Sequence, residues 1–189
     1  MLQLPRIVNK GVDMRVDGFL PGGSDRKRFE ASLPEPYRLL WLFCVDTGLR
    51  IGDALKVKVA DVVGFCEGVY VTEQKTKTCR HVKLKPATQK ALLSAISRRG
   101  GHEYVWASPR VPGRPITRQA AWRVFRKAQE RAGVRKHVGT HSARKTFAQN
   151  VYRRSTLEDV QEVLQHKYPE TTLFYLLNPK VRRRKGRKW

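Results

Sequence analysis

The hydrophobic pattern of this chain changes its period once, in the first half of the sequence, and then changes back. Residues 57–63, 69–72 and 80–85 alternate or carry β-branched side chains, whereas the segments on both sides have helical spacing. Glycines and a polar turn at residues 75–78 separate the three segments, as in a short antiparallel meander. The pattern predicts an α+β fold that is mainly α-helical, with a small antiparallel β-sheet.

Segments with apolar residues at helical spacing surround the predicted sheet. They cover residues 34–46, 50–56, 86–99, 117–131, 140–154, 157–165 and 170–177. The first contains the run at residues 39–43, which is apolar on nearly all sides and is typical of a buried central helix. Gly48 is expected to end that helix, and Thr117 is expected to cap the fourth.

The composition predicts one globular domain between two basic extensions. Residues 1–33 are rich in glycine and carry a basic cluster at residues 26–28, so we interpret them as an arm or linker. Residues 34–178 contain the periodic segments and form the predicted domain. Residues 179–189 form a basic tail, because seven of the last ten residues are Lys or Arg and no apolar face recurs.

The chain has a large positive charge and enough apolar residues for a core. It has 189 residues, with 39 Lys and Arg against 16 Asp and Glu, which gives a net charge of +23. Its hydrophobic fraction of 40% argues against a wholly disordered protein. A domain this basic usually binds a polyanion, and nucleic acid is the first candidate; an anionic membrane surface and a ribosomal scaffold are the alternatives. We expect a cytoplasmic, nucleoid-associated protein without a signal peptide or membrane span.

The cysteines do not form a metal-binding pattern. Cys44, Cys66 and Cys79 are 22 and 13 residues apart, with no CxxC pair and no matching histidine pair. We therefore expect reduced thiols, no zinc site, and Cys44 as a buried apolar residue.

Two arginines occupy local patterns near predicted helix starts. Arg50 and Asp53 lie three positions apart in TGLRIGDAL, and His141 and Arg144 lie three apart in THSARKTF. Arginine is the natural ligand of a phosphodiester because its planar fork donates two parallel hydrogen bonds. A surface ion pair explains the first pattern equally well, and a capped helix with a solvated basic face explains the second.

Two further clusters have plain explanations when each is taken alone. His166 and Tyr175 lie nine residues apart in VLQHKYPETTLFYL, where a tyrosine is most simply a core residue. Lys75 lies at the predicted hairpin turn in EQKTKTCRHVKL, where a lysine is most simply a solubilising charge. In a DNA-binding protein, however, such a turn can reach into a groove.

Together, the four clusters resemble the tyrosine recombinase family, also called the phage integrase family, over residues 34–178. TGLRIGDAL resembles the first arginine box, THSARKTFA the HxxR box, and VLQHKYPETTLFY the tyrosine box, while Lys75 resembles the hairpin lysine. Asp53 stands where the family often has Glu, and Gln165 stands where it usually has Gly. The resemblance implies the fold of a tyrosine recombinase catalytic domain. Residues 1–33 are too short for the family's N-terminal core-binding domain, so we expect that domain to be missing.

The resemblance also implies a role for each matched residue. Tyr175 would attack the phosphodiester and form a 3′-phosphotyrosyl bond. Arg50 and Arg144 would bind the non-bridging oxygens, with one more hydrogen bond from His166.

Proton transfer would involve three other residues. Lys75 would protonate the leaving 5′ oxygen, and His141 would act as general base near the nucleophile. Asp53 would orient the site by holding His141. No cofactor and no metal are expected, since the matched residues supply the chemistry.

The implied partner is double-stranded DNA. The candidate DNA-binding residues are Lys77, Arg80, Arg182, Arg183 and Arg184. Self-association on DNA into a synaptic tetramer and contact with accessory DNA-bending proteins are further expectations. The leading hypothesis is a site-specific recombinase; a non-catalytic DNA-binding protein of the same fold and a type IB topoisomerase-like enzyme are the alternatives.

Overall fold

The computed structural model describes residues 20, 23–63, 68–74 and 77–176. In this part of the chain, nine helices surround one two-stranded sheet. The elements are α1 Ser24–Ala31, α2 Tyr37–Thr47, α3 Ile51–Ala54, α4 Val59–Val63, β1 Gly68–Thr72, β2 Cys79–Lys83, α5 Pro86–Arg99, α6 Arg118–Arg131, α7 Ser142–Tyr152, α8 Leu157–Leu164 and α9 Pro169–Leu176. The predicted fold class is confirmed.

The sheet is an antiparallel hairpin with one buried face. Gly68 pairs with Lys83 and Thr72 with Cys79, so Val69 and Val82 lie opposite each other and both are buried. On the outer face, the rings of Tyr70 and His81 lie 5.0 Å apart. The turn between these strands contains Lys75, which lies outside the described residues.

The predicted first strand, residues 57–63, is wrong. The backbone nitrogen of Val105 donates to Val57 at 3.1 Å, and that of Val59 donates to Glu103 at 2.9 Å, so this segment pairs with a distant loop. Its second part then forms α4, because the Asp61 carboxylate accepts a hydrogen bond from the Lys58 nitrogen at 3.0 Å and satisfies a free donor at the helix start. The β-branched composition obscured this capping signal.

The segment predicted as an arm or linker contains a helix that packs against α2 and α6. Residues 24–31 form α1, whose Phe29 is fully buried, with its ring 4.8 Å from that of Trp41 and 6.2 Å from that of Phe125. Leu20 is also buried, and its nitrogen donates to Thr146 Oγ1 at 3.1 Å. A single apolar anchor holds α1, so the helix has no hydrophobic period that the sequence could reveal.

The apolar run of α2 forms the centre of the core, as predicted. Leu40, Trp41 and Phe43 are fully buried, and α2 packs against α5 and α7. A second cluster joins α7, α8 and α9 through Ala148, Val160, Leu164 and Leu176. This packing brings the ends of α2, α8 and α9 and the start of α7 to one side of the domain. No described helix has both the length and the apolar character to cross a membrane.

Candidate active site

A glycine turn after α2 leads the chain to Arg50. Gly48 has a φ of 67°, and a Cβ at this position would lie 2.4 Å from Cδ1 of Phe147, so the turn requires glycine for both its conformation and its space. Arg50 then adopts an extended backbone directly before α3. The TGLR pattern therefore fixes where the Arg50 side chain begins.

The Arg50 guanidinium is paired with a carboxylate that sequence reasoning missed. Nη1 of Arg50 donates to Oε2 of Glu73, which follows β1 and is 0% exposed. Oε1 of Glu73 lies 3.1 Å from Nε of Arg80 on β2. Arg80 in turn donates from Nη1 to the Val163 carbonyl at 3.2 Å. The only sequence signal for Glu73 was an acidic residue in an otherwise basic hairpin turn.

Arg144 is the most enclosed of the predicted catalytic residues. Its side chain lies on the first turn of α7 and is 1% exposed. Nη1 donates to the Gly48 carbonyl at 2.6 Å, and Nη2 donates to the Leu164 carbonyl at 2.6 Å. Gly48 caps the end of α2 and Leu164 is the last residue of α8, so Arg144 binds the ends of both helices while remaining a positive charge. Its Nε is buried without a hydrogen-bond partner among the described residues.

Burial first, and then the neighbouring charge of Arg50, lower the pKa of Arg144 to about 10. Tyr175 and Glu73 act in the opposite direction. The guanidinium stays charged at neutral pH. The pKa shift reflects mainly burial, with the positive charge of Arg50 as the second cause, and an anion bound beside Arg144 would favour its charged form.

His166 contacts Arg144 through one ring nitrogen and α9 through the other. Its Nε2 lies 3.4 Å from Nη2 of Arg144, and its Nδ1 lies 3.0 Å from Oγ1 of the buried Thr172. Because a guanidinium has only donors, this geometry favours the tautomer with its proton on Nδ1. Gln165 before it has a φ of 52°, the left-handed conformation that glycine adopts without strain. This conformation accounts for the glycine that the family usually has at this position, and Gln165 adopts it although it has a side chain.

Tyr175 lies near the end of α9 and is partly exposed. Its hydroxyl lies 3.3 Å from Nδ1 of His141, and its ring centre lies 5.0 Å from that of His166. Nζ of Lys145 lies 5.7 Å from the Tyr175 ring centre. Gln149 holds the end of α9 by donating to the Leu176 carbonyl at 2.7 Å. Lys145 and Gln149 are buried polar residues of α7 that sequence reasoning did not single out.

The expected contact between Asp53 and His141 is not formed, and Asp53 binds the hairpin instead. Its Oδ1 accepts a hydrogen bond from the backbone nitrogen of Gln74 at 3.0 Å, while Gln74 donates from its side chain to the Gly52 carbonyl at 3.1 Å. Asp53 is 4% exposed. Because Gln74 belongs to the hairpin, this hydrogen bond directs the carboxylate toward the hairpin and not toward the helix that His141 precedes. Asp53 thus fixes the residue directly before Lys75.

The structure brings five predicted catalytic residues to one side of the domain and leaves others outside its description. The five are Arg50, His141, Arg144, His166 and Tyr175. Lys75 and the tail residues Arg182, Arg183 and Arg184 lie outside the described residues. Lys77 is exposed beside the turn, whereas the predicted DNA contact Arg80 is partly buried against Glu73. Among described residues, no group of three or more His, Cys, Asp or Glu is arranged to hold a metal ion.

Comparison with known proteins identifies the family. The model of the phage integrase family matches residues 25–180. "Probable integrase/recombinase YoeC" of Bacillus subtilis is 31% identical over 138 residues, which cover 72% of this chain and 75% of that protein. "Tyrosine recombinase XerD" of Corynebacterium glutamicum is 32% identical over 136 residues, which cover 68% of this chain but 44% of that protein. The chain therefore spans less than half of this XerD.

Solved structures share the fold. The XerA recombinase superposes with a TM-score of 0.72 at 24% identity, over 94% of this chain and 66% of that one. A lambda integrase dimer bound to a COC′ core site gives a TM-score of 0.68 at 22% identity, over 90% of this chain and 50% of that one. The catalytic domain of bacteriophage HP1 integrase gives a TM-score of 0.60 at 24% identity, over 85% of this chain and 88% of that one. The fold, the grouped site residues and the match over residues 25–180 lead to one conclusion. The chain belongs to the phage integrase family, the tyrosine recombinases, whose members cleave and rejoin DNA.

Proposed function

We propose that this chain is a site-specific recombinase that breaks and rejoins DNA through a 3′-phosphotyrosyl bond to Tyr175. The observation that carries the proposal is the placement of the Tyr175 hydroxyl, 3.3 Å from His141 and next to the buried Arg144–His166 pair. A partly exposed tyrosine with a base on one side and cations on the other is suited to attack an anionic phosphodiester. A tyrosine that only filled the core would not need this setting.

Arg50 and Arg144 supply the charge for the phosphate. Both guanidiniums are fixed before any substrate arrives, Arg50 by Glu73 and Arg144 by the Gly48 and Leu164 carbonyls. Fixed donors stabilise the charge that develops on non-bridging oxygens without reorganising during the reaction. The unpartnered Nε of Arg144 is a buried donor that a phosphate oxygen would satisfy.

Two proton transfers balance the cleavage step. The Tyr175 oxygen attacks phosphorus, and His141 accepts the phenol proton through Nδ1. The bond from phosphorus to the 5′ oxygen breaks, and Lys75 gives that oxygen a proton. Attack by a 5′ hydroxyl on the phosphotyrosyl bond reverses these transfers and rejoins the strand without an external energy source.

His166 completes the phosphate site. A hydrogen bond from its Nε2 to a phosphate oxygen needs a proton on that nitrogen, whereas contact with Arg144 favours the proton on Nδ1. We expect the proton to lie on Nε2 in the DNA complex, with Nδ1 then accepting a hydrogen bond from the Thr172 hydroxyl. Thr172 keeps the ring oriented in either state.

The proposed partner is duplex DNA in the nucleoid. A net charge of +23 supports many phosphate contacts, to which Lys77, Arg80 and the tail residues Arg182, Arg183 and Arg184 would contribute. Pairing of Arg80 with Glu73 makes it the weakest of these candidates. Assembly of several copies into a synaptic tetramer and help from DNA-bending proteins are part of the same proposal. A synaptic exchange of strands would distinguish this activity from that of a topoisomerase.

The proposal is tested with a pool of nicked duplexes whose sequence is randomised on both sides of the nick. Cleavage near the nick releases a short strand that diffuses away, so the enzyme remains covalently attached. The expected result is an SDS-resistant adduct whose sequenced DNA defines a preferred site. Binding of DNA without any adduct would instead support the non-catalytic alternative. Recombinant products from two such sites would exclude the topoisomerase-like one.

A further inference from the structure

Glu73 is a fully buried carboxylate between two arginines. It is 0% exposed, and it pairs with Arg50 through one oxygen and with Arg80 through the other. A buried charge is tolerated when opposite charges and hydrogen bonds compensate for its lost hydration. The position is therefore unfavourable for a carboxylate unless both arginines remain in place, which makes the three side chains one unit.

The backbone of Glu73 closes the turn that contains Lys75. Its nitrogen donates to the Thr78 carbonyl at 3.0 Å, and its carbonyl accepts from the Lys77 nitrogen at 2.8 Å. The same residue thus forms the base of the lysine-bearing turn and holds the guanidinium of Arg50. The second partner of Glu73, Arg80, extends the unit to Val163 near the end of α8.

Exposure separates the inner and outer sides of this unit. The side chain of Arg50 is 25% exposed, whereas that of Glu73 is 0% exposed. Glu73 therefore binds Arg50 from the protein side, through Nη1. A guanidinium has five N–H donors in a rigid plane, so fixing one edge fixes the direction of the donors that remain.

We infer that Glu73 is a positioning residue for cleavage: its carboxylate orients Arg50 toward the scissile phosphate. The inference rests on the proposed function. Glu73 acts through Arg50 and does not touch the DNA. Its charge also raises the pKa of Arg144, so its loss would affect both arginines of the phosphate site.

The kinetic test compares Glu73→Gln with wild type on a duplex selected from the nicked pool. Glutamine keeps the shape and an acceptor but removes the charge. We expect the adduct to form at least about tenfold more slowly at saturating DNA, a part of the loss caused by deleting one transition-state donor, with unchanged DNA affinity. Glu103→Gln is the matched control, since Glu103 pairs with Lys58 at 2.9 Å on the surface. An equal or faster rate for Glu73→Gln would overturn the inference, and a faster rate would mark Glu73 as an inhibitor that competes with phosphate.

A double variant tests whether Glu73 acts through Arg50. In an Arg50→Lys background, the planar fork is gone, so adding Glu73→Gln is expected to slow cleavage little further. A further loss of the same factor as in wild type would show that Glu73 acts independently and would overturn the inference. If Glu73→Gln is poorly folded, the same comparison is made with Glu73→Asp, which keeps the buried charge but draws the carboxylate back from Arg50.

An NMR measurement separates this inference from the proposed function, because it needs no cleavage. Slow rotation of the Arg50 guanidinium, seen as separate signals for its two Nη atoms, is expected in wild type. The signals are assigned by their loss in Arg50→Lys. Averaging of the Arg50 signals in Glu73→Gln would support positioning by Glu73, and unchanged signals would overturn it. A wild-type protein that forms no adduct would contradict the proposed function alone.

Discussion

The hydroxyl oxygen of Tyr175 lies 3.3 Å from Nδ1 of His141, although the two residues are 34 positions apart. His141 directly precedes α7, and Tyr175 lies on α9, so the contact depends on the packing of these two helices. Gln149 of α7 secures it by binding the carbonyl of Leu176, the residue after Tyr175. The nucleophile and its base are therefore aligned by the core beneath them.

Replacing His141 with alanine should slow cleavage by a factor of about 10² or more, because the Tyr175 proton then lacks a positioned acceptor. Adduct formation on the same duplex measures the rate, with His102→Ala, in an exposed loop, as the control. A wild-type rate in His141→Ala would assign the base elsewhere.

Alanine in place of Arg50 or Arg144 should reduce cleavage more than DNA affinity. Each arginine would stabilise the transition state by about 3 kcal/mol, whereas an ordinary phosphate contact acts equally on binding and cleavage. The measurements are adduct rate and dissociation constant on the same duplex, with Arg98→Ala, exposed on α5, as the control. Parallel losses in both quantities would identify Arg50 and Arg144 as simple DNA contacts. Because Arg144 also binds two helix ends, its variant needs a thermal unfolding measurement.

Sequence patterns were sufficient for the elements with strong periodicity. The helix at residues 86–99 was predicted with its observed bounds, and Thr117 caps α6 by accepting from the Ala120 nitrogen at 3.1 Å. The first strand was wrong because only an isolated antiparallel bridge forms, between Lys58 and Tyr104, before the chain enters α4. The helix α1 was missed because Phe29 is its only buried residue.

For the site, too, the sequence was sufficient only for features carried by residues that are adjacent along the chain. The arginine, histidine and tyrosine positions followed from boxes of adjacent residues, so a resemblance could transfer them. The role of Glu73 could not be predicted, because its partners Arg50 and Arg80 lie on different elements. The partner of Asp53 was misjudged for the same reason, since only the fold places Gln74 beside it.

The protein with glycine at position 165 should have a free energy of unfolding about 1 kcal/mol higher than the protein with alanine there. This order is the reverse of that in an ordinary helix. Gln165 has a φ of 52° and a ψ of 46° at the end of α8, where a Cβ is strained and glycine is not. Comparing Gln165→Gly with Gln165→Ala cancels the loss of the glutamine side chain. Urea unfolding of both variants measures the difference. Greater stability of the alanine variant would contradict the left-handed backbone at this position.

Cys44 should resist alkylation in the folded protein, whereas Cys79 should react. Burial raises the pKa of the Cys44 thiol from 9.0 to about 12, with a smaller opposing effect from Arg144, and Cys79 is exposed. Only the thiolate reacts, and the raised pKa keeps Cys44 protonated until well above pH 9. The stabilisation that the buried, protonated Cys44 thiol gives the folded protein is therefore complete below pH 9 and is lost as the pH rises toward 12. Peptide mapping after iodoacetamide treatment at pH 8 checks this; labelling of Cys44 without unfolding would contradict its burial.

The most direct test of the central claim is to map the covalent bond between the protein and DNA. Wild-type protein is trapped on the nicked duplex, digested and analysed by mass spectrometry, and Tyr175→Phe is treated in the same way. The matched control is Tyr168→Phe, because Tyr168 lies in the same VLQHKYPETTLFY segment and is 57% exposed. The account predicts a nucleotide attached to Tyr175 in wild type and Tyr168→Phe, and DNA binding without an adduct in Tyr175→Phe. An SDS-resistant adduct in Tyr175→Phe, or a nucleotide mapped to another residue, would contradict it.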